Sequence, residues 1–470
     1  MILIPGVKKK NIGVFGLGLS GIATCEALVA SGARVFTWDE SARAREKTAG
    51  TEYLSEHPKN WPWQELESVV VSPGVPLTHP KPHAIVRKAK AENIPVYGDT
   101  ELFAMAINAL PESQRPRVVT ITGSNGKSTT TALIGHILKE TGHDVYVGGN
   151  IGQAVLSLPA PDSKAIYVLE MSSFQLDITN SLRADAAVFL NLTPDHIDRH
   201  GDVAGYLAAK KRIFLNQQKD DVAVICVDDD FTQGICVELI AAADRKVTPV
   251  SAQGVLGSGV FVLDGQLHYN LDGKTCLAGD LDGAHALRGV HNHQNAAAAL
   301  AVCIHLNVSP ALVIRAVERF ESLAHRMEEV GRIGKVLFVN DSKATNADAA
   351  ARAINAFEDI FWIAGGAPKE GGIESISDGL ENIRGAYLIG DAADGFEGQL
   401  GRKVQCYQCG DLKTAMSSAF KDASASDHSL PVVLLSPACA SFDQFKNFLE
   451  RGNCFKEFVN KMAQENGEAA

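Results

Sequence analysis

The sequence predicts an α/β fold built from three successive segments of alternating strands and helices. Short apolar runs recur along the chain, and longer alanine- and leucine-rich stretches separate them. Two of the apolar runs lead directly into glycine-rich turns, and each turn opens a helical stretch. Short strands that alternate with helices in this way form parallel sheets with helices on their faces.

The length of 470 residues fits three domains of about 150 residues each. The polar segment 110–116 contains two prolines and is typical of a linker. We therefore expect domains over residues 1–110, 111–324 and 325–470. The expected strands cover residues 12–15, 34–38, 69–71, 118–122, 165–169, 187–191, 222–227, 336–339, 360–363, 386–389 and 432–435, and the clearest helices cover 22–30 and 293–306.

Composition argues against several classes of protein. The formal net charge of −11 disfavours a nucleic-acid partner, because binding to the phosphate backbone needs a concentrated cationic surface. No apolar run reaches the roughly 18 residues that cross a bilayer, so no membrane partner is expected. Residues 1–10 do not resemble a signal peptide. We expect a cytoplasmic protein that acts as a monomer on small-molecule substrates.

The nine cysteines do not form a disulfide framework in a chain of this length. The only close pair is Cys406 and Cys409, in a C-x-x-C pattern. Such a pair could be redox-active or could supply half of a metal site. Two ordinary reduced thiols are the favoured interpretation.

The first glycine-rich turn, residues 16–21, has the pattern G-x-G-x-x-G between a strand and a helix, and Asp39 ends the next strand. The glycines allow a tight turn, and the helix N-terminus presents N–H groups to a pyrophosphate. The pattern favours a dinucleotide-type ligand on a Rossmann-like domain. It does not distinguish a nicotinamide cofactor from a UDP-sugar, and glycines that serve packing alone are a third interpretation.

The second glycine-rich turn, within residues 118–129, is the strongest local signal. Backbone N–H groups of such a loop wrap phosphates, Lys127 can reach the terminal phosphates, and the Ser128 hydroxyl can hold Mg²⁺. The loop is shorter than the standard G-x-x-x-x-G-K-[ST] pattern, because Ile121 stands where the first glycine would be. A lysine at a helix N-terminus opposes the macrodipole unless an anion lies beside it, so a purely structural turn is disfavoured.

Further polar residues follow neighbouring strands of the predicted central sheet. Glu170 ends the strand over 165–169, and Asp195, His196 and Asp198 follow the strand over 187–191. The carboxyl ends of parallel strands meet at one crevice, and Mg²⁺ needs oxygen ligands beyond the phosphates. Singly, Glu170 is typical of a solvated strand end and His196 of a loop histidine. Together, beside a phosphate loop, they favour a catalytic site.

Seven stretches carry a resemblance to a known family. They are TGSNGKST at 122–129, EMSSFQ at 170–175, DHIDR at 195–199, HNHQN at 291–295, HR at 325–326, NDSKATN at 340–346 and LSPACASFDQFKNF at 435–448. In this order, over essentially the whole chain, they resemble the Mur ligases of peptidoglycan synthesis. The last two stretches are most similar to the members that add D-glutamate, because relatives that add other amino acids and the folylpolyglutamate synthases carry different residues there.

The resemblance implies a Rossmann-like N-terminal domain, a central P-loop ATPase-type domain with a parallel sheet and a C-terminal Rossmann-like α/β domain. It implies ATP-dependent addition of D-glutamate to UDP-N-acetylmuramoyl-L-alanine, with Mg²⁺ at two sites. The implied contacts are Leu19, Ser20, Asp39, Ser72, Gly74 and Asn150 for the UDP-linked substrate; Gly123, Ser124, Asn125, Gly126, Lys127, Ser128, Thr129, Asn292, Asn295, Arg326 and Asp341 for ATP; and Thr345, Lys369, Ser441 and Phe448 for D-glutamate. The implied metal ligands are Ser128, Glu170, His196 and Lys210, and the implied catalytic residues are Lys127, Asn150, His196, Lys210 and Arg326.

The family also uses a carbamylated lysine as a metal ligand, and Lys210 occupies that place. From the sequence alone Lys210 is a lysine on a helix face, followed by Lys211. A carbamate would turn the cation into an anionic oxygen ligand suited to Mg²⁺. Phe442 and the pair at 367–368 depart from some relatives, which leaves the shape around Lys369 open.

The implied chemistry is physically reasonable for these residue types. A carboxylate does not condense with an amine at neutral pH, so ATP would first convert it to an acyl phosphate. Lys127 and Arg326 would stabilise the negative charge on the transferred phosphoryl group by position. The amine of D-glutamate must be neutral to attack, and His196 is a candidate base.

Three alternatives stay open from the sequence. A nicotinamide-dependent oxidoreductase would explain the loop at 16–21 but not the loop at 123–129. A non-catalytic nucleotide-binding protein would bind ATP without releasing ADP. A sister ligase that adds another amino acid is disfavoured only by the resemblance at 343–346 and 436–448.

Overall fold

A computed structural model describes residues 1–369, 371–376 and 378–467. Three sheets with helices packed on them form the predicted α/β fold. The first two sheets lie in one compact unit, Met1–Gly283 with His293–Glu318 (the first unit), and the third lies in a second unit that starts at Arg319 and includes Ala284–Asn292. The expected domain boundaries stay a prediction. None of the described helices has the length and apolar character needed to span a membrane.

The first sheet is parallel throughout. Its strands are β1 (Asn11–Phe15), β2 (Arg34–Trp38), β3 (Leu54–Ser55), β4 (Leu66–Val71) and β5 (Val96–Tyr97), and its helices are α1 (Leu19–Ala30), α2 (Ala42–Glu46), α3 (Ala84–Ala91) and α4 (Asp99–Asn108). The strand order is β3-β2-β1-β4-β5. The turns after β1, β2 and β4 therefore meet at one edge, where doubly wound sheets bind ligands.

The second sheet is parallel except for an antiparallel extension at one side. Its strands are β6 (Arg117–Thr122), β7 (Asp144–Gly149), β8 (Ala165–Glu170), β9 (Ala186–Phe189), β10 (Val222–Cys226), β11 (Lys246–Ser251), β12 (Gly259–Leu263), β13 (Gln266–Asn270) and β14 (Cys276–Asp280). The helices are α5 (Lys127–Glu140), α6 (Ser173–Asp177), α7 (Ile197–His200), α8 (Val203–Lys211), α9 (Asp230–Ala242), α10 (Val290–His305) and α11 (Pro310–Glu318). The order β14-β13-β12-β11-β10-β9-β6-β8-β7 places β6 between β9 and β8.

The third sheet has the order β15-β16-β20-β17-β18-β19, where the strands are β15 (Glu328–Ile333), β16 (Val336–Asn340), β17 (Ile360–Gly365), β18 (Ile383–Ile389), β19 (Cys406–Gly410) and β20 (Val432–Leu435). Its helices are α12 (Ala347–Ile354), α13 (Ala393–Leu400), α14 (Leu412–Ala425) and α15 (Phe448–Glu465). Only β15 pairs in the antiparallel sense with its neighbour. The central parallel strands β16, β20 and β17 therefore point their carboxyl ends to one edge.

Every strand predicted from the sequence is present, with small shifts at the ends. The predicted strand 187–191 ends earlier, at Phe189. Beyond it, the backbone carbonyl of Asn191 accepts the Ser124 N–H and its side chain accepts the Asn125 N–H, so this segment pairs with a loop instead of a strand. The predicted helix over 293–306 begins at Val290 and ends at His305. The strands that were not predicted are β3, β5, β7, β11, β12, β13, β14, β15 and β19. Most of these are short or carry polar and partly exposed residues, so their apolar signal is weak.

One hydrophobic core runs through both sheets of the first unit. Leu17 and Phe103 of the first sheet's layer share it with Leu156 and Tyr167 of the second. The rings of Phe103 and Tyr167 meet edge to face with centroids 5.2 Å apart. The third sheet has its own two clusters, one on each face.

The C-x-x-C pair lies on β19, and all nine cysteines are free thiols. Cys406 packs against the core cluster on one face of the third sheet, and Cys409 packs against the cluster on the other face. Side chains on opposite faces of a strand cannot approach each other. The two thiols therefore do not meet in this structure, which supports their interpretation as ordinary thiols over a redox pair or half of a metal site.

The first turn of α4 ties the layer of the first sheet to the second. The buried Glu101 carboxylate accepts hydrogen bonds from the backbone N–H groups of Asn180 (2.6 Å) and Ser181 (3.0 Å). The hydroxyl groups of Thr100 and Thr179 lie 2.6 Å apart. A carboxylate that accepts two backbone donors makes a strong contact, so this turn fixes the junction between the two layers.

We predict that Glu101→Gln destabilises the protein by about 1–3 kcal/mol, because a charge-assisted acceptor for two buried donors becomes a neutral one. Urea unfolding followed by circular dichroism measures the change. The matched control is Glu67→Gln, whose carboxylate pairs with Lys10 where both side chains are about half exposed. That change should cost about 1 kcal/mol or less. Equal losses in the two variants would contradict the role of Glu101.

Candidate active site

The loop between β6 and α5 is shaped by two glycines. Gly123 and Gly126 have φ values of 155° and 81°, and a Cβ atom on Gly126 would lie 2.5 Å from Asn295 Oδ1. The Asn191 amide holds the loop from β9, since its Oδ1 accepts the backbone N–H of Asn125 at 2.9 Å. The predicted phosphate loop therefore has the tight, backbone-lined form that binds anions.

Positive charge concentrates at this loop. Lys127 Nζ donates to the carbonyl oxygens of Gly123 (2.9 Å) and Ser124 (2.8 Å). Helix α5 starts at Lys127 without a side-chain cap or an acidic residue in its first turn. Uncapped N–H groups at a helix start attract phosphate. Ser128 is buried behind them in the first turn.

Asn295 supports the loop from α10. Its Oδ1 accepts the Thr130 hydroxyl at 3.0 Å, and it faces the backbone of Gly126. The predicted adenine contact Asn292 belongs to the second unit, where its amide donates to the Arg288 carbonyl.

A buried carboxylate ends the neighbouring strand β8. Glu170 Oε1 accepts the Asn150 amide at 2.7 Å, while Oε2 has no hydrogen-bond partner in the part of the chain that the structure describes. Glu170 is only 2% exposed. An unpaired buried carboxylate oxygen is costly, so it favours a cation at this point. The structure thus brings the predicted metal ligand Glu170 together with Asn150, the predicted contact of the UDP-linked substrate.

Lys210 of α8 is also buried, at 1% exposure. Its Nζ donates to Gly123 O (2.7 Å) and Thr122 Oγ1 (3.4 Å) and lies 4.7 Å from the centre of the Tyr206 ring. Burial, and then the nearby Lys127 ammonium, hold the pKa of Lys210 well below its usual value. The amine is therefore driven toward its neutral, nucleophilic form.

His196 adopts a left-handed backbone conformation, with φ of 54°, at the start of α7. Its backbone N–H donates to Asp195 Oδ1 at 2.8 Å, and its side chain is about half exposed. Burial lowers the pKa of His196; Asp195 opposes the shift, and Lys210 and Lys127 add to it. A neutral imidazole open to solvent can accept a proton, as a base must.

The glycine loop of the first sheet is closely packed. A Cβ atom on Gly21 would lie 1.8 Å from Gly16 O, so the helix can approach the strand only at a glycine. Ser72 Oγ donates to Gly16 O at 3.1 Å, which joins the turns after β1 and β4. The loop therefore has the geometry expected of a pyrophosphate site.

The five residues predicted in the first sheet for the UDP-linked substrate lie at its carboxyl edge. Asp39 accepts backbone N–H groups from Leu17 (2.6 Å) and Ser41 (2.8 Å), so part of its role is to hold the loop. Leu19 is 71% exposed, an unusual position for a large apolar side chain. Ser20, Ser72 and Gly74 lie in the same turns.

In the second unit, the predicted D-glutamate contacts follow the neighbouring strands β16, β20 and β17. Thr345 and Lys369 come after β16 and β17, and the buried Ser441 comes after β20. Phe448 starts α15, with Lys343 Nζ 3.9 Å from its ring centre. The strand order brings these residues to one edge of the third sheet.

Asp341 is a buried carboxyl at the end of β16. It accepts the Ser436 hydroxyl (2.8 Å) and the Met327 backbone N–H (3.2 Å). Burial raises the pKa of Asp341 to about 7, although these hydrogen bonds and the charge of Arg326 act in the opposite direction. Arg326, its predicted companion in ATP binding, is thus close enough to influence it.

Sequence reasoning missed Arg451, which is fully buried in α15. Its guanidinium donates to Ser342 O (2.8 Å) and Cys439 O (3.1 Å), so it joins the loops after β16 and β20. Burial lowers the pKa of Arg451 to about 10. The signal was available: Arg451, Phe455 and Val459 share one helix face by their spacing, and an arginine at an apolar position is unusual.

Comparison with known proteins identifies the class of protein to which this architecture belongs. Residues 121–303 match the Mur ligase middle domain, so fold and site together define a protein of the Mur ligase class. Two solved structures from Thermotoga maritima share the fold at 16% identity and a TM-score of 0.58. One is the UDP-N-acetylmuramate-alanine ligase MurC, covering 96% of this chain and 99% of its own, and the other is the MurF ligase in complex with ADP, covering 98% of each.

Curated relatives specify the family. The chain is 49% identical over 464 residues to a protein of Caulobacter sp. (strain K31) named UDP-N-acetylmuramoylalanine–D-glutamate ligase, covering 99% of both chains. It is 48% identical over 470 residues, the whole of both chains, to a protein of the same name from Caulobacter vibrioides. The chain belongs to the family of UDP-N-acetylmuramoylalanine–D-glutamate ligases.

We predict that Asp341→Asn stabilises the ligand-free protein at high pH. The pKa of Asp341 is raised from 3.8 to about 7 by folding, so its contribution to wild-type stability is full below the unfolded pKa and is lost as pH rises through the folded pKa. The free energy of unfolding of the variant should exceed that of wild type by up to about 4 kcal/mol near pH 8. Near pH 4 the ionisation of Asp341 should make no difference between the two proteins. Urea unfolding across this pH range measures the difference; a difference that does not change with pH would contradict it.

Proposed function

We propose that the chain joins D-glutamate to UDP-N-acetylmuramoyl-L-alanine. ATP would transfer its γ-phosphoryl group to the substrate carboxylate and leave as ADP, and the amine of D-glutamate would then displace phosphate from the acyl phosphate. The observation that carries the proposal is the phosphate loop Gly123–Thr129 beside the buried Glu170–Asn150 pair. Family membership supplies the substrates, since the relatives carry this activity in their name. The oxidoreductase does not account for the phosphate loop, and the non-catalytic binder does not account for the activity that the relatives carry in their name.

ATP would lie with its phosphates on the backbone N–H groups of the loop. Lys127 would turn from the carbonyl oxygens of Gly123 and Ser124 to the terminal phosphates, which offer it a full negative charge. The family resemblance assigns Asn295 of the first unit, and Asn292, Arg326 and Asp341 of the second unit, to ATP binding. Lys127 would stabilise the charge on the transferred phosphoryl group by position rather than by covalent chemistry, and the resemblance gives Arg326 the same role.

Mg²⁺ fits the donors around the loop. The described residues contain no group of three or more His, Cys, Asp or Glu side chains placed to hold a metal ion, so the ligands would include other oxygen donors. Glu170 Oε2, Ser128 Oγ and a carbamate on Lys210 would supply oxygens, and His196 would supply nitrogen at a second site. Bound Mg²⁺ would neutralise phosphate charge and orient the reacting groups.

Lys210 carries the features that carbamate formation requires. Its neutral amine would attack the carbon of CO₂, form an N–C bond and lose a proton, which leaves R–NH–COO⁻ and H⁺. The product would be an anion beside Lys127, so the charge repulsion that lowers the pKa of Lys210 would become an attraction. The buried position would protect the carbamate from water.

The amide would form at the edge shared by the turns after β6, β8 and β9. Asn150, held by Glu170, would orient the carboxylate of the UDP-linked substrate. When it does not ligate the metal, His196 would be the candidate to accept the proton from the D-glutamate ammonium, a role that its lowered pKa and its exposure allow. Thr345, Lys369, Ser441 and Phe448 would hold the carboxylates and backbone of D-glutamate.

We also propose a cytoplasmic location and a monomeric state.

Phosphate release tests the function directly. The purified chain is mixed with ATP, Mg²⁺ and UDP-N-acetylmuramoyl-L-alanine, and amino acids are added one at a time. We expect phosphate and a new UDP-linked product with D-glutamate, and neither with L-glutamate, L-lysine or meso-diaminopimelate. Turnover with another amino acid in place of D-glutamate would support the sister ligase instead, and nucleotide binding without release would support the non-catalytic binder.

We predict that Lys210→Arg lowers kcat by a factor on the order of 10²–10³, because a guanidinium cannot form the carbamate and leaves a cation at the metal site. ¹³C NMR after incubation with ¹³C-bicarbonate should show a carbamate signal in wild type that the variant lacks. Lys211→Arg is the matched control: Lys211 is the next residue, is partly exposed and pairs with Glu238, so it should keep both signal and rate. A wild type without the signal would contradict carbamylation.

A further inference from the structure

Arg199 connects the His196 segment to the first sheet. It lies in the short helix α7, and its Nη2 is 2.5 Å from the carbonyl oxygen of Val75 and 3.5 Å from that of Pro73. These carbonyls belong to the turn after β4 that also carries Ser72 and Gly74. Both partners lie in the first unit. A side chain from the proposed reaction centre therefore holds the backbone of the proposed UDP-substrate turn.

Holding Arg199 in this place is energetically costly. The residue is 7% exposed, and among the described residues no partner bonds its Nε and Nη1 atoms. Burial lowers the pKa of Arg199, and the carboxylates of Asp177 and Asp198 offset the shift only in part. A buried cation without a bonded carboxylate destabilises a fold. Stability therefore does not explain the choice of arginine here.

The same guanidinium packs against the ring of Phe174, with Arg199 Cζ 5.3 Å from the ring centre. The centre of the Phe174 ring lies 5.0 Å from the centre of the His196 imidazole and 5.6 Å from that of the His200 imidazole, on which it stacks. The His200 ring is fixed in turn, because its Nε2 lies 3.0 Å from Ser173 Oγ. Arg199 thus touches both the Pro73–Val75 backbone and the Phe174 ring, which in turn packs on His196.

We propose that Arg199 is a positioning residue for the UDP-linked substrate. It holds the turn at residues 72–75 in register with His196, so that the carboxylate to be activated arrives at the reaction centre when the nucleotide end is bound. Without it, binding must also order the turn, and that cost appears as weaker substrate binding. The inference rests on the proposed function for the identity of the substrate.

Lysine cannot replace arginine in this role. Both carbonyl contacts come from the single nitrogen Nη2, which an ammonium group could imitate, but lysine lacks the planar guanidinium that packs on the ring of Phe174. Arg199→Lys keeps the charge, so it separates geometry from electrostatics. Arg199→Gln removes the buried charge and its desolvation cost, so it provides a second variant that should fold.

The test measures kcat and KM for each substrate in the full chain. For Arg199→Lys and Arg199→Gln we expect KM for UDP-N-acetylmuramoyl-L-alanine to rise by about tenfold or more, as the loss of one charged hydrogen bond predicts, with KM for ATP and D-glutamate within about twofold. Arg183→Lys is the control, because Arg183 makes a bidentate pair with Asp221 and does not touch the turn.

Hydrogen exchange of the ligand-free protein gives a second readout that needs no substrate. Peptides covering residues 72–80 should exchange faster in both Arg199 variants than in wild type and in the control. A variant with wild-type KM for the UDP-linked substrate and wild-type exchange in this segment would overturn the proposal. A wild type that fails to turn over the UDP-linked substrate would instead overturn the proposed function, while the exchange result would still decide whether Arg199 orders the turn.

Discussion

The active site depends on one carbonyl oxygen, that of Gly123, which accepts hydrogen bonds from both Lys127 and Lys210. The two nitrogens cannot be more than about 5.6 Å apart, given these contacts. Two full positive charges about 5 Å apart would repel by roughly 3 kcal/mol at an effective dielectric constant of 20. The loop is therefore built for negative charge, whether from a triphosphate, a carbamate or both, and without that charge Lys210 is driven toward neutrality.

The parallel sheets and both ligand loops could be predicted from the sequence, because their signals are local. A run such as Val118–Thr122 is apolar and short, and the glycines that follow it have few structural alternatives. The edge strands could not be predicted so well. Strand β19 carries polar and half-exposed residues, so its pairing with β18 depends on tertiary contacts that no local pattern encodes.

The residues of the candidate site also fall into those that could be predicted from the sequence and those that could not. Glu170 and His196 could be placed near the phosphate loop, because carboxyl ends of parallel strands converge. The burial of Lys210 and the cross-connection of Arg199 could not be placed, since each depends on which distant backbone a long side chain reaches. The spacing of Arg451 on its helix indicates burial, but it does not indicate which two loops the guanidinium joins. Resemblance to a family pointed to Lys210, and only the folded chain gives the physical reason why the pKa of its amine is lowered.

The continuous core of the first unit limits how the protein can be divided. A fragment that ended near residue 110 would expose Phe103 to water, because the ring of Tyr167 that packs on it belongs to the second sheet. Excising the first sheet with its helices for ligand screening would thus yield an aggregation-prone piece. Inhibitor discovery against that part of the chain should start from the intact two-sheet body, where the turn at 72–75 is held from behind by Arg199.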